Sequence, residues 1–585
     1  MFASISRCRR QHTRNCRRAF LYPQAKALLA LSLPGLLLTG QAARADKLQN
    51  KGDLFLTRQM ASKQTSGWAS VILKLDGDLT PAYQAQLKAL EASITRQLAI
   101  IRSVAVRVPI RNLPRLAALP FVTHLSADVS VQKNDEYTVS SSGANIAFQQ
   151  YNLTGQGVTV AVVDSGIASH SDLNDPKTGA SRVIANVSFV PLSLNASDQC
   201  GHGTHIAGII AGNGANSTGS QYFHTFYGIA RKANLVNVRV LDALGQGNVS
   251  TVISGIQWVI NNRAKYNIRV LNLSMGHSAG ESYKTDPLCQ AVEQAWKAGI
   301  VVVCAAGNDG RKTALALPTN GADNEGYGTA YGSIASPGND PYVITVGAMK
   351  SVDGIRAHDT IATYSSRGPT RLDLRLKPDI VAAGNHIISL RCSLGTLDTT
   401  DIGNQVPMSA YCYNPPLLGQ TRYFRLSGTS MAAPVVSGAA ALLLQANPNL
   451  SPDTIKARLM FSADKWGFPN GAADPCTFGA GYLNIPAALN CTVTATQPAM
   501  SPSLSQDSQG NVVVNMDNAI WGTNAIWGTG VTDLRAIWGT NAIWGTNTLS
   551  SSNAIWGTSI WTDNAIWGTS LFEVDLGPIA INGEN

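Results

Sequence analysis

The chain is 585 residues long, with 14% charged residues, 44% hydrophobic residues and a formal net charge of +9. So few charges beside so much apolar side chain exclude a disordered polyelectrolyte, and the length predicts about three or four domains. The positive balance sits at the front: residues 1–45 hold eight Lys or Arg and no acid, residues 46–135 hold twelve bases and seven acids, and the remaining 450 carry −4. Residues 136–490 contain no compact basic stripe interleaved with aromatics, which excludes nucleic acid as a partner.

Residues 1–45 read as an export signal. An Arg-rich start precedes an apolar run from Ala25 to Thr39 and a small-residue cleavage site, Ala43-Arg44-Ala45. Arg17-Arg18-Ala19-Phe20-Leu21 resembles a twin-arginine export motif, and a general secretory signal with a long basic start fits the same residues. The apolar run is too short, and too interrupted by Pro34 and Gly35, for a membrane span, and no other segment reaches spanning length. A secreted or extracytoplasmic product without a transmembrane span is expected.

Residues 46–135 look like a small separate unit. Val71–Leu75 predicts a strand, Pro81 to about Leu98 a helix through Tyr83, Leu87, Leu90 and Ile94, Val104–Val108 a strand, Leu113–Leu119 a helix and Val122–Val131 a strand. That order predicts an α+β sandwich. Residues 136–490 alternate apolar runs (Val158–Val163, Val270–Leu273, Ile300–Val303, Val343–Val346) with helical stretches (Val252–Ala264, Leu288–Lys297). Apolar strands separated by helices predict an α/β domain with a mostly parallel sheet covered on both faces.

Residues 491–516, rich in Ser, Thr, Gln and Pro, predict a linker. In the tail, residues 517–585, the pentapeptide Ala-Ile-Trp-Gly-Thr starts at Ala519, Ala525, Ala536, Ala542, Ala554 and Ala565, with Trp561 in a degenerate copy. Seven of the eleven tryptophans fall here, so the segment is a near-periodic array. Self-stacking is the favoured reading, binding to a surface, glycan or partner comes next, and a trimmed sorting segment is the third. With Arg535 as its one base, the array does not suit nucleic-acid stacking.

Seven cysteines follow the signal. Cys392/Cys412 and Cys476/Cys491 are near-sequence candidate disulfides, Cys304 reads as a buried thiol, and Cys200/Cys289 is left as a third candidate pair; sequence cannot fix connectivity. No Cys-x-x-Cys or Cys/His zinc spacing appears.

Three segments carry chemistry. Val162-Val163-Asp164-Ser165-Gly166-Ile167 ends an apolar strand with an acid, where open parallel sheets collect functional groups, although a lone Asp there is more often a turn or helix cap. Gly201-His202-Gly203-Thr204-His205-Ile206-Ala207-Gly208 surrounds an imidazole with residues small enough for close backbone packing. The His202/His205 spacing of three, without a Glu, argues against a metal site. Ser427-Gly428-Thr429-Ser430-Met431-Ala432-Ala433-Pro434 precedes a small-residue helix, and Pro434 suits a first turn, which sets Ser430 at or near the helix N-terminus. There the free N–H groups favour a developing anion, whereas taken alone a capping Ser is the plainer reading.

The order Asp, His, Ser and the flanks of all three segments resemble the active-site segments of the subtilisin-like serine proteases. The resemblance covers residues 150–490 and includes Cys304-Ala305-Ala306-Gly307-Asn308, Ser365-Ser366-Arg367-Gly368-Pro369, Lys377-Pro378-Asp379-Ile380-Val381 and Gly479-Ala480-Gly481-Tyr482-Leu483-Asn484. It implies a subtilisin-like α/β domain acting on protein or peptide substrates, with Asp164, His202 and Ser430 as catalytic triad and Asn308 as oxyanion donor. It implies substrate-binding strands at Gly245-Gln246-Gly247 and Leu273-Ser274-Met275-Gly276. Ala305, Ala306 and Gly307, with Met275, would line a small apolar S1 pocket. It makes residues 46–135 an N-terminal propeptide, an intramolecular chaperone and inhibitor, with the mature start between Asp128 and Ser142. The chemistry needs no cofactor. Structural calcium is compatible with the resemblance, with no ligand set to assign and only Asp172 and Asp198 as exposed-loop candidates. Ala383 departs from the proline common in the family after Lys377-Pro378-Asp379. Cys200, two residues before His202, would either be a mercurial-sensitive thiol or stiffen its loop as a disulfide. The rival expectation is a non-catalytic surface-binding protein on a protease scaffold, against which all four catalytic positions are filled.

Overall fold

The computed structural model describes residues 51, 56, 67–127, 138–193, 195–314, 316, 324–416, 420–466, 474–506, 512–515, 571–573 and 583–584. The export signal and the Trp repeat at 519–569 lie outside the described residues. The chain divides into two compact units, Met1–Gln132 and Lys133–Asn585.

Among the described residues, the first unit has a four-stranded antiparallel sheet and two short helices that follow its first and third strands. Its elements are β1 (Trp68–Leu75), α1 (Pro81–Ala89), β2 (Ser93–Leu98), β3 (Ser103–Pro109), α2 (Leu113–Ala117) and β4 (Val122–Ala127), with sheet order β2-β3-β1-β4. In β1 the residues Ala69, Val71, Leu73 and Leu75 are buried and alternate with more exposed neighbours, the period of a one-sided sheet. The Thr80 hydroxyl caps α1 by accepting from the Tyr83 N–H at 3.2 Å, and Pro81 fills the first helical position. The expected helix to Leu98 is corrected here. The chain leaves α1 after Ala89, Glu91 takes a left-handed φ of 57°, and residues 93–98 pair with β3. Apolar spacing through Leu87, Leu90 and Ile94 fits a helical period, yet Ile94 and Thr95 are β-branched and find an open strand edge.

The second unit holds β5 (Thr159–Asp164), β6 (Val183–Ser188), α3 (His202–Ala211), β7 (Asn234–Arg239), β8 (Gln246–Asn248), α4 (Val249–Tyr266), β9 (Ile268–Leu273), α5 (Pro287–Lys297), β10 (Val301–Ala305), β11 (Ile344–Lys350), β12 (Thr360–Ile361) and β13 (Ile380–Ala383). These are followed by β14 (Ile387–Leu390), β15 (Gln405–Val406), β16 (Tyr423–Leu426), α6 (Thr429–Ala446), β17 (Ser503–Gln506), β18 (Val512–Asn515) and β19 (Leu571–Glu573). The main sheet runs β12-β11-β10-β9-β5-β7-β6 with β13 also on β11, and every pair is parallel except β11–β12. Helices α3 and α6 pack on each other and on the sheet, as do α4 and α5. This is the expected α/β arrangement, with parallel strands buried between helical layers.

Two strands, β6 and β7, carry no clean apolar run. Asn237 and Arg239 are buried in β7 because each has partners: the Asn237 amide donates to the Ala196 carbonyl at 2.7 Å, and the Arg239 guanidinium donates to the Asn195 carbonyl and Gln199 Oε1 at 2.9 and 2.7 Å. Among the described residues one helix, α6, is long and apolar enough to cross a membrane, and 89% of it is buried in the domain.

Residues 491–506 differ from the expected linker. Ala499, Ser501 and Leu504 are buried, and the Leu504 N–H donates to the Leu374 carbonyl at 2.8 Å. Ser501 joins a buried ionic cluster built on the Lys377-Pro378-Asp379 motif. Lys377 Nζ lies 2.7 Å from Asp379 Oδ2, Lys456 Nζ lies 3.3 Å from Asp379 Oδ1, and the Ser501 hydroxyl donates to Asp379 Oδ1 at 2.5 Å. Carbonyls of residues 341–343 accept from the two ammonium groups. A buried charge is tolerated when it is paired and hydrogen-bonded in this way.

Asp340, beside that cluster, is less well served. Its Oδ1 accepts from the Tyr342 N–H at 2.8 Å, and its buried Oδ2 has no partner among the described residues. Burial pushes its carboxyl up to about 7, against the lowering pull of the Tyr342 N–H and the nearby Lys377 and Lys456. A raised carboxyl binds its proton more tightly folded than unfolded. Its stabilising contribution is therefore full below about pH 4 and is lost as pH rises towards 7, with a slope of up to about 1.4 kcal/mol per pH unit. Asp340→Asn is expected to remove that slope. Urea unfolding at several pH values between 4.5 and 6.5, in a proteolytically silent background, checks it; parallel profiles for the two chains would refute it.

Candidate active site

The candidate residues gather at the carboxyl ends of parallel strands, where an open α/β sheet leaves a crevice. Asp164 is the last residue of β5, Ser274 follows β9, and Gly307 and Asn308 follow β10. His202 opens α3, and Ser430 is the second residue of α6.

His202 Nδ1 lies 2.8 Å from Asp164 Oδ1, with both residues buried. Asp164 Oδ1 also accepts from the Ser165 N–H at 2.7 Å. The contact demands glycine behind it: a Cβ on Gly203 would come within 2.2 Å of the Gly166 carbonyl oxygen and 3.2 Å of the Asp164 Cβ. The start of α3 is held by Asp198, whose Oδ1 accepts from the Cys200 and Gly201 N–H groups and the Ser165 hydroxyl, and whose Oδ2 accepts from the Thr204 N–H and hydroxyl, all at 2.7–2.9 Å. A carboxylate at a helix N-terminus satisfies free donors there and complements the dipole.

Ser430 and Ser274 are bonded reciprocally. The Ser430 hydroxyl donates to the Ser274 carbonyl at 3.0 Å, and the Ser274 hydroxyl donates to the Ser430 carbonyl at 2.8 Å. The second bond has a cause in the sequence. Pro434, expected in the first turn, lies inside α6 four residues beyond Ser430. It has no N–H to give the Ser430 carbonyl, and Ser274 satisfies that carbonyl instead. Asn272 Nδ2 in turn donates to the Ser274 hydroxyl at 2.9 Å, and Ser437 donates to Asn272 Oδ1 at 2.8 Å. Asn308 Oδ1 accepts from the Thr429 N–H at 2.9 Å and from its hydroxyl at 3.1 Å, which fixes the side chain beside Gly428.

Ala305, Ala306 and Met275 are buried, with Gly307 and Gly276 partly exposed beside them, a small and apolar surround. Gly245 lies at the turn before β8, with a φ of 75°, and Gly247 lies within β8, where a Cβ would be 2.6 Å from the Val240 carbonyl oxygen. The edge of β8 is taken by the chain itself: β19 pairs antiparallel along it, Leu571 opposite Asn248, Phe572 opposite Gly247 and Glu573 opposite Gln246.

His205 is a core residue. Its Nε2 lies 3.1 Å from both the Ile387 and Phe424 carbonyls, and burial, with His202 adding to it, holds the ring down to about 3. The seven described cysteines are all free thiols, which corrects the expected pairs. Several have partners of their own: Cys289 Sγ lies 3.2 Å from Asn339 Oδ1, and Cys392 Sγ lies 3.4 Å from the Asp198 carbonyl. Cys200 is fully buried and burial raises its thiol well above the ordinary range, so it is a poor target for mercurials.

Asp172 and Asp198 are also corrected, from exposed-loop residues to buried ones. Asp172 accepts from Asn216 and from the Tyr423 hydroxyl, and Asp198 accepts from five donors, so their oxygens are engaged by protein rather than turned to a cation. They do not fit a calcium site, and among the described residues no group of three His, Cys, Asp or Glu could hold a metal ion. The sequence reading passed over Asp198 and Thr429 as positioning residues. An acid a few residues ahead of a Gly-His-Gly-Thr helix start was the available signal for the first.

A model of the subtilase family matches residues 155–481, which takes in Asp164, His202, Asn308 and Ser430 and the segments around them. The chain belongs to the subtilase family. Among its relatives, serine protease AprX of Bacillus subtilis is 38% identical over 60% of this chain and 70% of its own length. Subtilisin DY of Bacillus licheniformis is 32% identical over 58% of this chain and 93% of its own. An extracellular serine proteinase of a Thermus species is 31% identical over 67% of this chain and 84% of its own. Two of these relatives are serine proteases by name and the third is a subtilisin, and proteolysis is the activity the family supports for this chain.

Proposed function

We propose that this subtilase is a secreted serine endopeptidase, made as a self-processing zymogen, with Asp164, His202 and Ser430 as its triad. The 2.8 Å contact between His202 Nδ1 and Asp164 Oδ1 at the strand ends carries the reading. It fixes the imidazole by one nitrogen and leaves Nε2 to act on a proton. Ser430 Oγ attacks the scissile carbonyl, its proton passes to His202, and Asp164 steadies the imidazolium. The proton then goes to the leaving amine, and water hydrolyses the acyl-enzyme. In the resting arrangement the Ser430 hydroxyl hydrogen is on the Ser274 carbonyl, so reaction begins with its turning to His202. Asn308 Nδ2 and the Ser430 N–H, near the start of α6, stabilise the oxyanion. The small apolar surround of Ala305, Ala306, Gly307 and Met275 suits apolar P1 residues or broad cleavage.

Residues 46–135 act as propeptide and inhibitor, and residues 136–506 act as the peptidase, because Ser501 and Leu504 pack into it; the Trp-rich tail at 517–585 follows. The Arg-rich signal directs export, by the twin-arginine or the general secretory route, and the Trp-rich repeats stack on one another, with attachment to a surface or glycan as the second reading. The purified full chain is expected to begin between Asp128 and Ser142 by N-terminal sequencing. It is expected to digest an unrelated unfolded protein and to carry a fluorophosphonate probe on Ser430 by peptide mass mapping. A chain that stays full length, spares the test protein and takes no label across a range of pH and calcium overturns the reading.

A further inference from the structure

Beyond the repeats, the chain returns to its own crevice at two described places. At the first, the backbone of β19 fills the free edge of β8, the segment that the family resemblance assigns to an extended peptide substrate. At the second, Gly583 and Glu584 sit against the residues that flank the nucleophile and the oxyanion donor. A Cβ on Gly583 would be 2.4 Å from the Ser427 hydroxyl and 2.3 Å from the His386 ring, so the backbone passes in contact with the residue three before Ser430.

Glu584 is buried in a pocket built for its carboxylate. Arg311, three residues past Asn308, meets Glu584 Oε2 at 2.6 Å. Thr363 donates its N–H to Oε1 at 2.9 Å and its hydroxyl to Oε2, and Lys350 Nζ, which is paired with Glu325 Oε1 at 2.7 Å, stands 3.7 Å from Glu584 Oε1. Arg311 is itself held by Thr363 Oγ1 at 2.6 Å and lies over the Tyr327 ring. Asn385 reads the Glu584 main chain in both directions: its Nδ2 donates to the carbonyl at 2.8 Å, and its Oδ1 accepts from the N–H at 3.1 Å. Asn385 follows Gly384, whose carbonyl accepts from the Gly428 N–H at 2.8 Å, so this pocket is tied directly to the nucleophile segment. A guanidinium, a hydroxyl, a main-chain N–H and a side-chain amide converging on one residue, with the Lys350 ammonium at longer range, make a recognition site for an acidic residue of an extended peptide. Nothing in the triad chemistry uses it.

We propose that Arg311, Lys350, Thr363 and Asn385 form an acidic-residue subsite of this protease, and that the chain's own Glu584 occupies it while residues 571–573 occupy the β8 edge, both in competition with substrate. The inference rests on the protease reading for its consequence, though not for the binding itself. A tethered segment acts at an effective concentration of about 1 mM, so tenfold occlusion requires a dissociation constant of about 0.1 mM for the free segment. Substrates that carry Asp or Glu in reach of Arg311 are those best able to displace it.

The test compares the full chain with its Glu584→Gln and Glu584→Lys forms, each calibrated by fluorophosphonate titration and cleaving an internally quenched peptide without acidic residues. The expected result is a rise in kcat/KM of about tenfold for Glu584→Lys, with Glu584→Gln between. A synthetic peptide of residues 571–585 should inhibit the Glu584→Lys form competitively with a Ki of about 0.1 mM, and the same peptide carrying Glu584→Lys should not. Equal kcat/KM in all three chains, with or without a lower melting temperature, would make the contact a structural clasp and overturn the proposal. Should no chain take the fluorophosphonate, the protease reading fails by itself. Fluorescence anisotropy of the labelled 571–585 peptide on the Glu584→Lys full chain then still decides the binding, and flat anisotropy up to millimolar protein overturns it.

Discussion

Ser430→Ala is expected to leave a folded chain whose kcat on protein substrates is lower by about 10⁶, the loss that follows removal of a triad nucleophile. The fold should survive because the substitution deletes a single hydroxyl. The main-chain carbonyl of Ser430 keeps its bond from Ser274, the helix keeps its start at Thr429, and the one side-chain bond lost is to the Ser274 carbonyl, a change of about 1 kcal/mol. Steady-state cleavage of a quenched peptide, with circular dichroism to confirm the fold, gives the answer. The same protein should keep its N-terminal residues, since self-processing needs the same hydroxyl. Hydrolysis retained at even one part in about a hundred, far above the residual rate of a triad without its nucleophile, would place the nucleophile elsewhere.

Asn308 substitutions should give the next largest loss. Asn308→Leu keeps the side-chain volume and removes the amide, and a fall in kcat of about 10²–10³ with little change in KM is expected, because the lost hydrogen bond forms only as charge develops on the substrate oxygen. The side chain has a second duty, as acceptor for the Thr429 N–H and hydroxyl. Asn308→Asp separates the two. It keeps the acceptor and its hold on Thr429 while losing the donor and adding a negative charge where the oxyanion forms, so its kcat should be no higher than that of Asn308→Leu. Recovery of activity in Asn308→Asp would show that the residue works by holding Thr429 and not by donating to the intermediate.

The candidate catalytic segments stood out in the sequence because each combines a chemically active side chain with small neighbours that only a close approach explains. Gly203 against the Gly166 carbonyl is such a case. What escaped the sequence depended on partners far along the chain. Nothing near Asn237 or Arg239 announces the Ala196 and Asn195 carbonyls that let them sit inside a parallel sheet. Asp172 and Asp198 read as loop acids because local composition cannot reveal Tyr423, or a helix start folded back over them. The apolar period through Ile94 looked helical because periodicity alone does not register the left-handed turn at Glu91. Near spacing of cysteines likewise gave no hint that every described cysteine is a free thiol.

The unit that must be kept intact for expression is longer than the stretch by which the family is recognised. Ser501 closes the pocket around Asp379 and Lys456, and Leu504 pairs with the backbone at Leu374, some twenty residues beyond the family match at 481. A gene cut at residue 490 would leave two buried lysines and a buried aspartate open to water on one side. A stop codon placed after Gln506 keeps that seal, and it is the shorter limit at which a soluble catalytic fragment should be sought.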